Sequence, residues 1–437
     1  MLKRLRPGPL ATALERIARW AGVLANFVVY QAAAQLVAML AGIVVVRALP
    51  KQDYAWYTIA NSMIATFIIL ADAGVSPSVS GIGGRVWQDR AKLAQVIATA
   101  LRFRAWLRNL ICLPIVIALG ALLYKNGAGV GALLVLVPLV LAAAGFSLDS
   151  GILVIVPRLI GDVRFLRIVE LAAAAARLLI LLPLALIGLS AETAILTVCI
   201  GYGLEYWLVR RSARGAIGRP REESPRVRQE LYAVAAKQWP NALYYIFQGQ
   251  ITIWLLSIFG SSSTIADLGA LNRVGVIYTA LLAAVQGVVL PRYARCQEPG
   301  RLWTLYWEIW LLFLLLVASP LPVVLLAPHP ILWVLGGQYM HLSWELFLAT
   351  LSAATGACNG LAWMINATRL WILPPWITIP ITLAAQVVCV SLIGASTVEE
   401  VLWFSIVTNL VQIATSVIVA GTSIRRARRA VSAAPAG

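Results

Sequence analysis

Between residues 24 and 422 the chain is divided into apolar stretches, each long enough to cross a bilayer. About 20 predominantly apolar residues span the hydrocarbon core as a helix. Only helices and closed barrels satisfy backbone polar groups in lipid, and stretches of this length mean helices. The reading is all-α and polytopic. Charged residues make up 12% of the chain and the mean hydropathy is +0.85, whereas a soluble domain carries about 25% charged residues.

Twelve membrane helices are expected, at approximately 24–46, 54–75, 103–124, 130–156, 167–189, 192–209, 238–259, 265–290, 303–327, 342–365, 371–394 and 399–422. Before them, residues 1–23 read as a cytoplasmic amphipathic segment, with Leu10, Leu14 and Ile17 on one side and Arg16 and Arg19 elsewhere. The first apolar stretch is too long for a cleaved signal and reads as a span. Of 35 Lys and Arg, 30 fall in alternate connections and the two ends, while the intervening loops hold only Arg47, Lys51 and Lys125. Cytoplasmic loops carry the excess of Lys and Arg, so both termini are expected in the cytoplasm. The net charge of +17 is thereby assigned to topology, not to a nucleic-acid partner. The five cysteines form no CxxC pair, so neither a disulfide framework nor a zinc site is expected. No ATP-binding loop is present, and no cofactor is implied.

A basic connection at 210–237 separates residues 24–209, with six spans, from residues 238–422, with six more; a basic tail follows at 423–437. The segments WYTIANSMI (56–64) and DLGALNRVG (267–275) both place Asn sixth, at an offset of 211 residues. Two related six-helix halves point to a transporter built from structural repeats.

Two cations remain inside spans. Arg177 lies ten residues into its helix, about 15 Å deep at 1.5 Å per residue. Arg273 lies about 12 Å from the outer end of the eighth helix by the same rise. Intramembrane cations face a cavity or a partner. One reading has both facing a cavity, where the guanidinium fork binds phosphate oxygens in pairs. The other pairs Arg177 with Glu170, seven residues earlier on the same helix face. Asp72, Asp149, Glu170 and Glu205 fall in the cytoplasmic third of first-half helices. They read either as an inner gate pairing with Arg85, Arg90 or Arg158, or as ordinary interfacial charge. The seventh helix carries a polar stripe of Lys237, Asn241, Tyr245, Gln248 and Thr252. The first carries Asn26, Tyr30, Gln31 and Gln35. Such faces line cavities or bond helices together; the cavity is favoured for these two, and interhelical bonding for Ser405, Asn409, Gln412 and Ser416 of the twelfth.

The stretch VVVRALPKQDYAWYTIANSMIATFIILADAGVSPSV (44–78), with Arg47, Asp53, Tyr54, Asp72 and Gly74, resembles the opening of polysaccharide flippases of the Wzx type. The second half resembles their seventh and eighth helices, with Pro240, Gly269 and Arg273 in matching places. These flippases belong to the multidrug, oligosaccharidyl-lipid and polysaccharide (MOP) exporter superfamily. The resemblance implies two six-helix lobes around a cavity, as in the multidrug (MATE) branch. It implies alternating access that carries a lipid-linked anionic glycan, such as a polyprenyl-diphosphate oligosaccharide, across a bacterial plasma (inner) membrane. It implies no enzymatic step, with a polysaccharide polymerase and glycosyltransferases as partners besides the bilayer. Arg177, Arg273, Asn241, Tyr245, Gln248, Tyr30 and Gln31 would then bind substrate. Three alternatives stand: a multidrug–cation antiporter of the same superfamily, which wants mid-depth acids; a membrane polymerase or glycosyltransferase, which wants a larger external loop than this chain has; and a non-transporting assembly scaffold.

Overall fold

The computed structural model describes residues 33–72, 74–218, 223–285, 289–290, 293, 299–369, 371 and 375–432. The amphipathic segment at 1–23 and the candidate residues Tyr30 and Gln31 lie outside the described residues. So do the side chains of Asn241 and Tyr245. The first half is built from α1 (Ala33–Ala48), α2 (Lys51–Asp72), α3 (Val75–Val86), α4 (Arg90–Lys125), α5 (Val130–Leu153), α6 (Ile155–Ile160), α7 (Val163–Ile187) and α8 (Ala191–Ile217). The second half runs from α9 (Pro225–Phe259) through α10 (Ser262–Leu271) and α11 (Val276–Ala284) to α12 (Pro299–Ala318) and α13 (Pro320–Leu326). It ends with α14 (Pro328–Leu335), α15 (Ser343–Thr368), α16 (Pro375–Ile393) and α17 (Val398–Ser432). Among the described residues, eight helices are long and apolar enough to cross a membrane. The chain is a multi-pass, all-helical membrane protein. The expected spans outside those eight are the polar α8 and α9, the interrupted pair α10–α11, and the first, of which only α1 is described.

Several expected boundaries move. Helix α4 starts at Arg90 rather than at 103, because Asp89 caps it by accepting from the Ala91 and Lys92 amides at 3.1 Å each. Such a cap satisfies amide groups that have no partner within the helix. Arg90, Lys92 and Arg102, expected in the connection before this span, are therefore helical. Likewise α8 continues to Ile217 and α9 starts at Pro225, so the basic connection contracts to 218–224. The eighth span is not the single helix expected at 265–290. A turn of 3-10 helix, Asn272–Gly275, separates α10 from α11. The ninth breaks before Pro320, whose ring and missing N–H interrupt a helix.

The apolar cores define the shape. One core contains residues of both halves: Val45, Leu49 and Phe67 from the first, and Leu256, Leu268, Leu335, Tyr339 and Val401 from the second. The second half contributes to it from one end of its helices, the end where α10, α15 and α17 begin. At the other end each half has its own core. Val79, Ile97, Ile152 and Val209 belong to the first half's; Tyr306, Phe313, Leu361 and Ile424 belong to the second's. The halves are thus joined at one end and split at the other. The exception is the start of α9, which docks on the first half: Leu231 is fully buried in that half's core, the Ser224 amide donates to Thr99 at 2.9 Å, and Glu223 pairs with Arg102 at 2.8 Å.

Helices α2 and α10 pack against each other where the halves meet. A Cβ added at Gly269 would lie 2.6 Å from Thr58 Oγ1, so only glycine permits this approach. Thr58 and Gly269 differ by the same 211 residues as the repeated segments. Positions equivalent in the repeat thus touch where the halves meet.

Candidate functional site

The two intramembrane arginines come from opposite halves and converge on α2. Arg177 on α7 donates through Nη2 to the Tyr57 hydroxyl at 2.8 Å. Arg273, in the 3-10 turn after α10, lies near Tyr54 and Tyr57, and the Tyr54 hydroxyl is buried without a hydrogen bond. The two tyrosines are stacked, with ring centroids 5.8 Å apart, and both are buried. Gly42 of α1 makes room for Arg273: a Cβ there would lie 3.1 Å from Nη1. Nε of each arginine is buried without a hydrogen bond. No ion pair among the described residues includes either arginine. The alternative partner Glu170 is instead held by Arg167 at 2.6 Å, one turn away. Arg177 thus bonds a phenol oxygen, which accepts a hydrogen bond without neutralising charge, and Arg273 lies near the same pair of rings. Tyr54 stood in the sequence only as a match to the opening motif and Tyr57 was not singled out, since a tyrosine in an apolar helix is unremarkable without knowing what it faces.

The remaining candidates are placed as follows. Asp72 does not pair with Arg85, Arg90 or Arg158. It accepts from the buried Arg104 of α4 and from Ser76 Oγ at 2.6 Å, while Arg104 also reaches Ser76 Oγ and the Leu148 carbonyl. Asp149 faces Arg108 at 3.7 Å, and Glu205 accepts from Ser150 Oγ at 2.8 Å. All these contacts are made within the first half, so the expected gate residues bond inside one lobe rather than across the split. Gln248 is likewise not a free cavity amide. Its Oε1 accepts from Gln412 Nε2 at 2.7 Å, and Gln412 Oε1 accepts from Asn359 at 2.5 Å. With Ser352–Ser405 at 2.9 Å, this polar row bonds α9, α15 and α17 together, as expected for the twelfth helix and contrary to the expectation for Gln248. No group of three or more His, Cys, Asp or Glu among the described residues gathers for a metal ion.

The joined end is closed by polar contacts across the halves. Lys51 at the start of α2 pairs with Asp267 of α10 at 2.9 Å and lies 5.5 Å over the Tyr339 ring. Arg47 lies 5.0 Å over Trp333. Gln338 reaches toward the Val46 and Leu49 carbonyls at 3.4 and 3.5 Å. Ser262 donates to the Asn126 carbonyl at 3.2 Å, and Ser62 at mid-helix donates to Gln250 at 2.6 Å. Lys51 read in the sequence only as one of three cations in alternate loops. Asp267 lay in a quoted repeat without being marked.

The fold has solved counterparts. An inward-facing multidrug resistance MATE family transporter of the MOP superfamily superposes with a TM-score of 0.71 at 15% identity, over 90% of this chain and 96% of that one. The lipid II flippase MurJ in an inward closed conformation gives 0.67 at 10% identity, over 89% and 87%. An outward-facing MATE transporter gives 0.57 at 14% identity, over 92% and 94%. The fold is that of MOP-superfamily transporters. No family model and no curated protein matches the sequence.

Proposed function

We propose that the chain is a flippase that moves a lipid-linked anionic glycan between leaflets by alternating access. The observation that carries this reading is the convergence of Arg177 and Arg273, one from each half, near Tyr57, with neither in an ion pair among the described residues. A pair of cations beside neutral oxygens has unmet electrostatic demand, and a diphosphate head group supplies the complement in bidentate form. The charge bias assigns the split end to the cytoplasm, so this shape would receive substrate from within. With the cytoplasm negative, outward movement of a diphosphate gains about 2.3 kcal/mol per charge per 100 mV, which biases export.

A second reading is a multidrug antiporter, favoured by the 0.71 TM-score to a multidrug MATE transporter. Purified protein in vesicles separates the two. A flippase translocates lipid-linked oligosaccharide, loses this in Arg177→Ala and Arg273→Ala, and regains part of it in the lysine variants. Proton-driven uptake of cationic drugs with no glycan movement would refute the flippase reading.

A further inference from the structure

A second cationic site lies within the first half, away from the meeting point of the two lobes. At the split end, α4, α5 and α8 enclose a cavity of about 280 Å³ walled by Arg102, Arg210, Arg214, Asp149 and Tyr206. Asp149 and Tyr206 also line a deeper cavity of about 250 Å³ that contains Arg108 and the apolar Phe67, Leu141 and Phe146. The two share a wall, and together carry four arginines against one carboxylate.

Depth follows from helix rise. Arg102 is 23 residues from Lys125, the joined-end terminus of α4, and Arg210 is 19 from Ala191, the corresponding terminus of α8. At 1.5 Å per residue these are about 34 and 28 Å, against a hydrocarbon thickness of about 30 Å. The guanidinium groups therefore lie where lipid phosphates lie. Exposed Trp106 and Trp207 flank them, with Arg211 5.7 Å over the Trp207 ring; indole rings settle at the same interface. Arginines that served topology alone would fan out into solvent. These three converge on one concave wall. Arg210 is fixed there by Tyr206, whose hydroxyl accepts at 2.6 Å. Arg102 is held by Glu223 of the segment connecting the halves.

We infer that this cavity binds an anionic membrane phospholipid, its phosphate among Arg102, Arg210 and Arg214 and its acyl chain along the deeper apolar cavity. The charge excess selects a phosphate-bearing head group, and the change from cationic rim to apolar depth selects an amphiphile over a free anion. Asp149 in the wall and Glu223 on Arg102 both work against the ligand and leave Arg210 and Arg214 as its main contacts.

Native mass spectrometry of the purified full-length protein tests this with phosphatidylglycerol and phosphatidylcholine. Phosphatidylglycerol is retained preferentially. The double variant Arg210→Gln/Arg214→Gln weakens its binding at least about tenfold, as expected for lost charge-assisted hydrogen bonds. The double variant Arg85→Gln/Arg90→Gln, which removes equal charge outside the cavity, leaves binding unchanged. Asp149→Asn tightens it, a direction that no folding defect produces. Equal weakening in the two double variants would overturn the site, as would equal retention of phosphatidylcholine or weaker binding in Asp149→Asn. Competition by glycerol phosphate as effective as that by a short-chain phosphatidylglycerol would overturn the assignment to a lipid.

Discussion

The ion pair of Lys51 with Asp267 crosses from one half to the other at the joined end, and alternating access requires it to break. The Asp267 side chain is 9% exposed and that of Lys51 30%. Breaking a fully buried pair costs about 3–5 kcal/mol and an exposed one up to about 1 kcal/mol. One buried and one partly exposed partner place this pair at about 2 kcal/mol, a factor of about 30 in an equilibrium constant. Lys51→Ala or Asp267→Asn should therefore shift the population about 30-fold toward the shape in which the joined end is open. The exchange Lys51→Asp/Asp267→Lys should recover most of the shift. Spin labels on cysteines at Leu186 and Leu392, which are 90% and 80% exposed near that end on opposite halves, report the separation by pulsed electron paramagnetic resonance in a background without native cysteines. A distance distribution unchanged in both single variants would show that apolar packing alone closes this end and would refute the reasoning.

Gly269→Ala places a methyl group 2.6 Å from Thr58 Oγ1, which is itself fixed by donation to the Tyr54 carbonyl at 2.8 Å; the same labels should report the same direction of shift as Asp267→Asn. Asp72→Asn removes the carboxylate bonded to Arg104, which is 1% exposed, and should lower stability by about 2 kcal/mol by the same reasoning, measured as thermal unfolding in detergent. Gln412→Leu removes the hydrogen bonds to Asn359 and Gln248 and should cost about 1–2 kcal/mol of stability. Lipid-linked oligosaccharide binding should stay intact in that variant, and its loss would return Gln248 to the substrate cavity.

The architecture was legible because apolar length and charge placement are direct consequences of the bilayer. Arg177 and Arg273 were visible for the same reason: a cation has no business in hydrocarbon unless something meets it. What meets it was hidden. Tyr57 becomes a partner only when α2 and α7 are packed, and Glu170, near Arg177 in sequence, is taken by Arg167 instead. Asp72 was weighed only against loop arginines, whereas its partner here, Arg104, lies within α4, which Asp89 starts at Arg90. Helical spacing placed Gln248 on a polar face, yet a face has no direction until its neighbour is known, and here the neighbour is Gln412. The break in the eighth span lay between Gly269 and Gly275, in a segment that was read as continuous from its hydropathy.

The distribution of cores has a mechanical consequence for the surrounding membrane. A molecule joined at one end and split at the other is a wedge, occupying more area in one leaflet than in the other. Reversing the wedge transfers area between leaflets, so work is done against the lateral stress of each monolayer. Lipids of opposite spontaneous curvature, added to one leaflet without touching any residue, should then tilt the conformational balance in opposite directions.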